Sequence, residues 1–277
     1  MPQAEHPDTV GTMPAEAEMG LGALAERLEP LGNGRFRLDG AACWMQGRTM
    51  YGGTAAFIAY SAARLAFPDL PPLRAAQVGF VAPVGEHLEV EVVMLRQGKS
   101  VAQVETSLIC DGAIAQRTLW LFGAGRESNG TVAAAVLPDL IPPEDSPRLT
   151  ASDFAPAFTA RMDTRRADPP GGSPHGTIRR WVRLKDRSGL DPIAELVGIG
   201  DALPPGSARA MERMGPISSI TWALTILGDV PPTREGWWLL ETRSNHMSHG
   251  FSSETLRLWN SEGLEVMRGL QSVAVFG

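Results

Sequence analysis

Three polar residues in the second half of the chain, Asp201, Ser219 and Gln271, are of types that together could hold a water. Asp201 comes late in an apolar run, Pro192 to Leu203, that predicts a helix capped by Asp191 with proline at its first position. An acid near a helix C-terminus opposes the helix dipole. Its carboxylate is therefore a candidate to hold or deprotonate a water; the plainer reading is an exposed charge at a helix end. Gln271 interrupts the last predicted strand, Leu264–Phe276, on the face it shares with Val273 and Val275. An amide on an apolar face must find partners, either a bound water or an ordinary edge-strand hydrogen bond. Ser219, at the start of a strand predicted over Ile217–Leu227, offers a hydroxyl that can orient a water or satisfy nearby backbone. Ser218 leaves that register open by one residue.

In the first half, Tyr51-Gly52-Gly53 precedes a helix predicted over Thr54–Ala66. Glycines at a helix start leave backbone N–H groups open to a close carbonyl oxygen, as an oxyanion site requires. A tight strand-to-helix entry would use the same two glycines. Without the following lysine they do not make a phosphate-binding P-loop. Serine nucleophile chemistry is not indicated, since no histidine neighbours Ser219 and the chain has no Gly-x-Ser-x-Gly elbow. Arg179, Arg180, Arg183, Lys185 and Arg187, with Arg161, Arg165 and Arg166, offer cations to substrate phosphates. Such residues more often form a solvated strand face. His246 and His249 fall in a stretch read as a loop, Ser244–Gly250, with no further ligand at metal-binding spacing. Cys43 and Cys110 likewise lack such spacing and read as reduced thiols of a cytoplasmic protein.

The intervening elements must position these groups. Strand-like Arg35–Asp39 and Ala42–Met45 precede the first helix. Four strands follow it, at Ala76–Ala82, His87–Gln97, Val101–Cys110 and Ala115–Phe122, with a hairpin turn at Asp111-Gly112. The second half repeats the order, with strands at Phe158–Asp163 and Ile178–Leu184, a helix, then Ile217–Leu227, Trp237–Ser244, Phe251–Trp259 and Leu264–Phe276. Val104-Glu105-Thr106 and Ser253-Glu254-Thr255 hold matching places, and both halves close on Phe-Gly, at Phe122-Gly123 and Phe276-Gly277. This is the pattern of a duplicated strand–helix–four-strand unit. Prolines and acids between Arg126 and Arg148 mark the join. The predicted division is a tail over 1–25, a first domain over 26–126, a linker over 127–149 and a second domain over 150–277. A nearly all-apolar helix must be covered on most sides, so the expected class is α+β, with two antiparallel sheets each wrapped around a central helix. A single large β-sandwich with two inserted helices is the competing architecture.

The 277 residues leave room for two such units. A net charge of −6 supplies no general field for nucleic acid. No apolar run approaches the roughly 20 residues of a membrane span, and the acidic Met1–Gly20 does not read as a signal peptide.

Met50-Tyr51-Gly52-Gly53-Thr54 resembles the Phe-Gly-Gly-Gln element of the type II acyl-CoA thioesterases. Ser219-Ile220-Thr221-Trp222-Ala223, Trp237-Trp238-Leu239-Leu240, Gly250-Phe251 and Gln271 resemble, in order, the closing strands of that family. The resemblance implies a double hotdog and an enzyme of fatty acid metabolism that hydrolyses fatty-acyl-CoA. It implies a water held by Asp, Thr or Ser, and Gln, at positions matching Asp201, Ser219 and Gln271. It further implies Tyr51, Gly52 and Gly53 as substrate contacts, acyl-CoA as partner, no cofactor or metal, and a homodimer or larger assembly. There are departures. The family's Asp-His-Ser-Met-Trp-Phe-His strand is Thr221 to Leu227 here, without its acid or histidines, and Thr54 replaces the glutamine after the glycines. A non-catalytic acyl-thioester binding protein is the alternative these departures leave. A hotdog hydratase needs an Asp and His pair for proton transfer at carbon, and neither helix start, Gly52 or Asp191, has an adjacent histidine.

Overall fold

The structure, a computed structural model, describes residues 19–132, 137, 141–149, 155–169 and 172–276. Most of the predicted tail, together with parts of the predicted linker and of the loop after Asp168, lies outside the described residues. From Met19 onward the chain is already packed. Trp44 donates its indole N–H to the Met19 carbonyl at 3.1 Å, and helix α1 (Leu21–Glu26) buries Leu21 and Leu24.

Strands β1 (Glu29–Gly32) and β2 (Arg35–Asp39) pair, while β3 (Met45–Gln46) and β4 (Thr49–Met50) form a ribbon of their own. Helix α2 (Gly52–Ala66) leads to β5 (Leu73–Phe80), β6 (His87–Gln97), β7 (Val101–Cys110) and β8 (Ala113–Gly123). In the second half β9 (Met162–Arg166) and β10 (Thr177–Leu184) precede helix α3 (Pro192–Ile199). Then come β11 (Ile217–Ile226), β12 (Trp238–Ser248), β13 (Phe251–Asn260) and β14 (Glu265–Val275).

Two expected strands begin instead as 3-10 turns, Ala42–Trp44 and Ala157–Arg161, each burying one large aromatic, Trp44 or Phe158. The second predicted helix stops at Ile199, so Asp201 lies in the turn beyond it. Its start is as expected, with Asp191 Oδ1 accepting the Ala194 N–H at 2.8 Å. β12 runs on to Ser248, which places His246 in a strand rather than a loop.

The two expected sheets are one. Twelve antiparallel strands run in the order β1-β2-β6-β7-β8-β5-β11-β14-β13-β12-β10-β9. The halves join where β5 meets β11, with Gly79 opposite Thr221 and Ala75 opposite Thr225. An unpaired strand edge leaves backbone donors and acceptors open, and this pairing closes two such edges at once. Residues 141–149, expected as linker, dock along β9, where Leu149 donates to the Thr164 carbonyl and Arg165 to that of Pro143.

Bulges fall at matching places in the two halves. β5 slips against β8 between Leu73 and Ala75, as β11 slips against β14 between Ser219 and Thr221. β6 slips against β7 between Met94 and Arg96, as β12 slips against β13 between Ser244 and His246. This register makes Trp120 the counterpart of Gln271 and Val104 the counterpart of Glu254. The letter match of Glu105 with Glu254 is therefore one residue out of step. Glu105 faces outward beside Arg117, whereas Glu254 is wholly buried.

Every residue of α2 from Gly53 to Tyr60 is buried, more than two turns, so the helix has no solvent face over that stretch. It packs on β6, β7 and β8 and against α3, which rests on β10. One apolar core runs through both halves. A smaller one, with Trp181, Trp237 and Trp259, has Arg165 and Arg183 over Trp237 and Arg257 over Trp259.

Candidate active site

Asp201 and Gln271 are brought into contact. Gln271 Nε2 donates to Asp201 Oδ1 at 2.6 Å. The amide points inward because its neighbours Leu270 and Ser272 face out, and it is 4% exposed. The partner that an amide on an apolar face requires is thus the acid itself. Burial pushes the Asp201 carboxyl up to about 7, and the Gln271 hydrogen bond pulls it only part of the way back. An acid poised at neutral pH suits proton abstraction from water.

The turn that carries Asp201 is pressed against the sheet at Gly200. Any Cβ there would collide with the Trp222 ring and the Met267 side chain. Trp222 lies directly opposite Gln271 on β11. The close approach therefore sets the acid beside the amide.

The bulge at Ile220 sets the faces on which the two serines lie. Ser219 lies opposite Val273 and Thr221 opposite Ser272, so Ser219 shares the inner face with Gln271 and Trp222. Ser218 and Thr221 are exposed on the other face. Among the described residues no side-chain hydrogen bond joins Ser219 to the Asp201–Gln271 pair.

Gly52 and Gly53 reach the same place from the first half and differ in what they face. A Cβ on Gly52 would run into Asp201 Oδ2 and press on the Phe80 ring. The start of α2, the acid of the second half and the apolar edge of Phe80 thus meet where the halves join. A Cβ on Gly53 would strike the Gly198 carbonyl and the Tyr51 hydroxyl, so its bareness serves the approach of α2 to α3. The N-cap residue, Tyr51, makes no side-chain capping bond, and the N–H groups of the first turn of α2 have no helical partner. Tyr51 is buried, its ring stacked on Phe158 at 4.2 Å. Burial first, then the nearby charge of Asp201, holds its phenol well above the ordinary tyrosine range. The backbone N–H of Asp201, facing the hydroxyl, pulls it only part of the way back. Tyr51 is thus enclosed at the N-cap of α2.

The basic clusters are largely committed elsewhere. Arg179 pairs with Glu241, Arg180 with Asp168 at 3.5 Å, Arg183 with Asp163 at 2.8 Å and Arg187 with Glu195 at 2.8 Å. An ion-paired strand face describes them better than a phosphate site. His246 and His249 lie against Ser248 Oγ at 2.8 and 3.3 Å. Sequence reasoning missed Phe80, Trp222 and Glu254. Phe80 ends a strand whose partner across the join cannot be read from its own alternation, and the letter repeat hid the inward face of Glu254.

Residues 41–123 match the acyl-CoA thioesterase N-terminal domain family and residues 138–275 the acyl-CoA thioesterase C-terminal domain family. No curated protein matches the chain. Among solved structures, a conserved protein of unknown function with hot dog fold from Alicyclobacillus acidocaldarius is 24% identical, with a TM-score of 0.81 over 94% of this chain and 99% of that one. Acyl-CoA thioesterase II from Mycobacterium marinum is 17% identical, with a TM-score of 0.74 over 91% of this chain and 96% of that one. The dehydratase domain of RzxB from Pseudomonas fluorescens is 13% identical, with a TM-score of 0.56 over 86% and 93%. These likenesses establish the hot dog fold, which a dehydratase shares. Family is settled by the sequence matches, which run through both halves: the chain belongs to the acyl-CoA thioesterase family, a family of thioester hydrolases.

Proposed function

We propose that this chain hydrolyses fatty-acyl-CoA to free acid and CoA, using a water held among Asp201, Gln271 and Ser219. The observation that carries the reading is the hydrogen bond from Gln271 to a carboxyl poised at about 7. Oδ1 of Asp201 is occupied by that bond, and Oδ2 faces Gly52 at the start of α2. In the proposed step Asp201 takes a proton from the water as its oxygen bonds to the thioester carbon. The carbonyl electron pair moves onto oxygen, where the first-turn N–H groups at Gly52 and Gly53 and the positive end of α2 stabilise it. Collapse restores the carbonyl and expels the CoA thiolate, which takes up the proton and needs no strong acid to leave. Ser219 orients the water from the neighbouring strand.

The double-hotdog division, 26–126 and 150–277 joined through 127–149, is part of this reading. Matched bulges and a strand order that reads alike from both ends support it. So is a homodimer or larger assembly. Ile220, Phe251 and Leu270 are exposed on the outer face of β11, β13 and β14, and a second copy would cover them. The reading assigns the chain to the cytoplasm and to fatty acid metabolism. Among the described residues no helix is long and apolar enough to cross a membrane.

The test is thiol release from a panel of acyl-CoAs of increasing chain length. Wild type is expected to release CoA, and folded Asp201→Asn to lose turnover by on the order of 10²–10⁴. Tight binding without thiol release at any length would make the chain a binding protein instead.

A further inference from the structure

Four inner-face places at and around Gln271 are held by apolar residues in the first half. Trp120 stands for Gln271, Val104 for Glu254, Ala102 for Ser252 and Met94 for Ser244. The fold therefore needs no polar group at these places. The second half nonetheless buries the carboxylate of Glu254 completely, at 0% exposure. Burying an ion is costly unless donors surround it. Those donors are the Gly206 N–H at 2.8 Å, the Ser207 N–H at 3.2 Å and the Ser252 hydroxyl at 2.6 Å. Two of the three belong to the loop that follows Asp201.

That loop transmits position. Between Asp201 and Gly206 lie Pro204 and Pro205, whose fixed φ angles leave little slack. The Pro204 carbonyl accepts from Thr242 Oγ1 at 2.8 Å, and Gly206 is pressed against the backbone of Gly176 and Ser244. Trp222, Gln271 and Glu254 lie directly opposite one another on β11, β14 and β13. In this row the Trp222 ring abuts the residue before Asp201, Gln271 bonds its carboxyl, and Glu254 pins the loop after it.

We infer that Glu254 is a positioning residue for thioester hydrolysis, acting through the Pro204–Ser207 loop to hold Asp201 against Gln271 and away from bulk water. The inference rests on the reading of Asp201 as the base. Glu254→Gln keeps the size but turns one acceptor into a donor facing the loop N–H groups. Its kcat is expected to fall roughly 10- to 100-fold with KM within about threefold, the effect of a small misplacement of the base. The fall of kcat/KM at low pH should also move to lower pH as Asp201 regains water. Ser252→Ala removes one donor more gently; it should shift both quantities the same way and serves if Glu254→Gln does not fold. A merely structural role would lower Tm and leave the pH profile of the remaining activity unmoved, which would overturn the inference. Asp201→Asn, assayed alongside, separates the two claims. If it retains wild-type turnover, the base assignment falls and takes this inference with it. If it is inactive while Glu254→Gln keeps wild-type kcat and pH profile, this inference alone falls.

Discussion

Replacing Asp201 by asparagine should stabilise the protein, and by an amount that grows with pH. Asn Oδ1 can accept the same Gln271 N–H that Asp201 Oδ1 accepts at 2.6 Å, so the variant keeps the contact and loses the charge. The folded carboxyl titrates at about 7 because of burial, against an ordinary value of 3.8. Between those values the folded state binds more protons than the unfolded chain, so the group contributes a loss of stability as pH rises. The loss begins above the unfolded pKa and is complete above the folded one. Three pKa units at roughly 1.4 kcal/mol each cap it at about 4 kcal/mol, and partial exposure of Asp201 reduces that. The assay is urea unfolding of both proteins at equal concentration, at about pH 5 and about pH 8. The stability advantage of Asp201→Asn should widen by about 1–2 kcal/mol between the two conditions, and groups common to both proteins cancel in the comparison. A difference that stays constant, or narrows as pH rises, would refute a raised carboxyl and with it the poised base.

Gln271→Ala should lower kcat by about 10- to 100-fold and leave KM within about threefold, since it removes the placement of the base and water rather than a substrate contact; steady-state kinetics on one acyl-CoA checks this. Gly52→Ala puts a methyl group into Asp201 Oδ2 and Phe80, so turnover should drop roughly tenfold or more, and Tm should fall as those side chains shift, with the helix preference of alanine offsetting part of the cost. Light scattering at micromolar concentration should report a dimer or larger species, and a strict monomer would contradict the proposed assembly.

Much of the element order was legible because burial writes itself into alternation. β6 and β7 follow directly from period-two patterning, the turn between β7 and β8 from Asp111-Gly112, and α2 from its Ala-rich, nearly all-apolar run. Asp201 and Gln271 were legible for the opposite reason, as polar residues on apolar elements, and their mutual bond accounts for both. Other features depend on relations between strands, which alternation does not carry. The pairing of β5 with β11 that fuses two sheets into one is of this kind. So is the bulge at Ile220, which puts Ser219 rather than Ser218 on the face of Gln271. Glu254 was masked by a letter repeat one residue out of step with the strand pairing, so that an inward carboxylate looked like the outward Glu105. The early end of α3 at Ile199 has a local cause, because Gly200 must press against Trp222 and the chain turns there. Trp44 and Phe158 were read as strand residues, yet both are buried from single 3-10 turns.

The dependence of kcat/KM on pH for acyl-CoA hydrolysis tests the central claim most directly, since it reports the ionisation of the base in the free enzyme. With the Asp201 carboxyl at about 7, kcat/KM should rise about tenfold per pH unit on the acid side, level off above neutrality, and lose that limb in Asp201→Asn. A profile that is already level from about pH 5 upward, or an acid limb that survives unchanged in Asp201→Asn, would contradict the account.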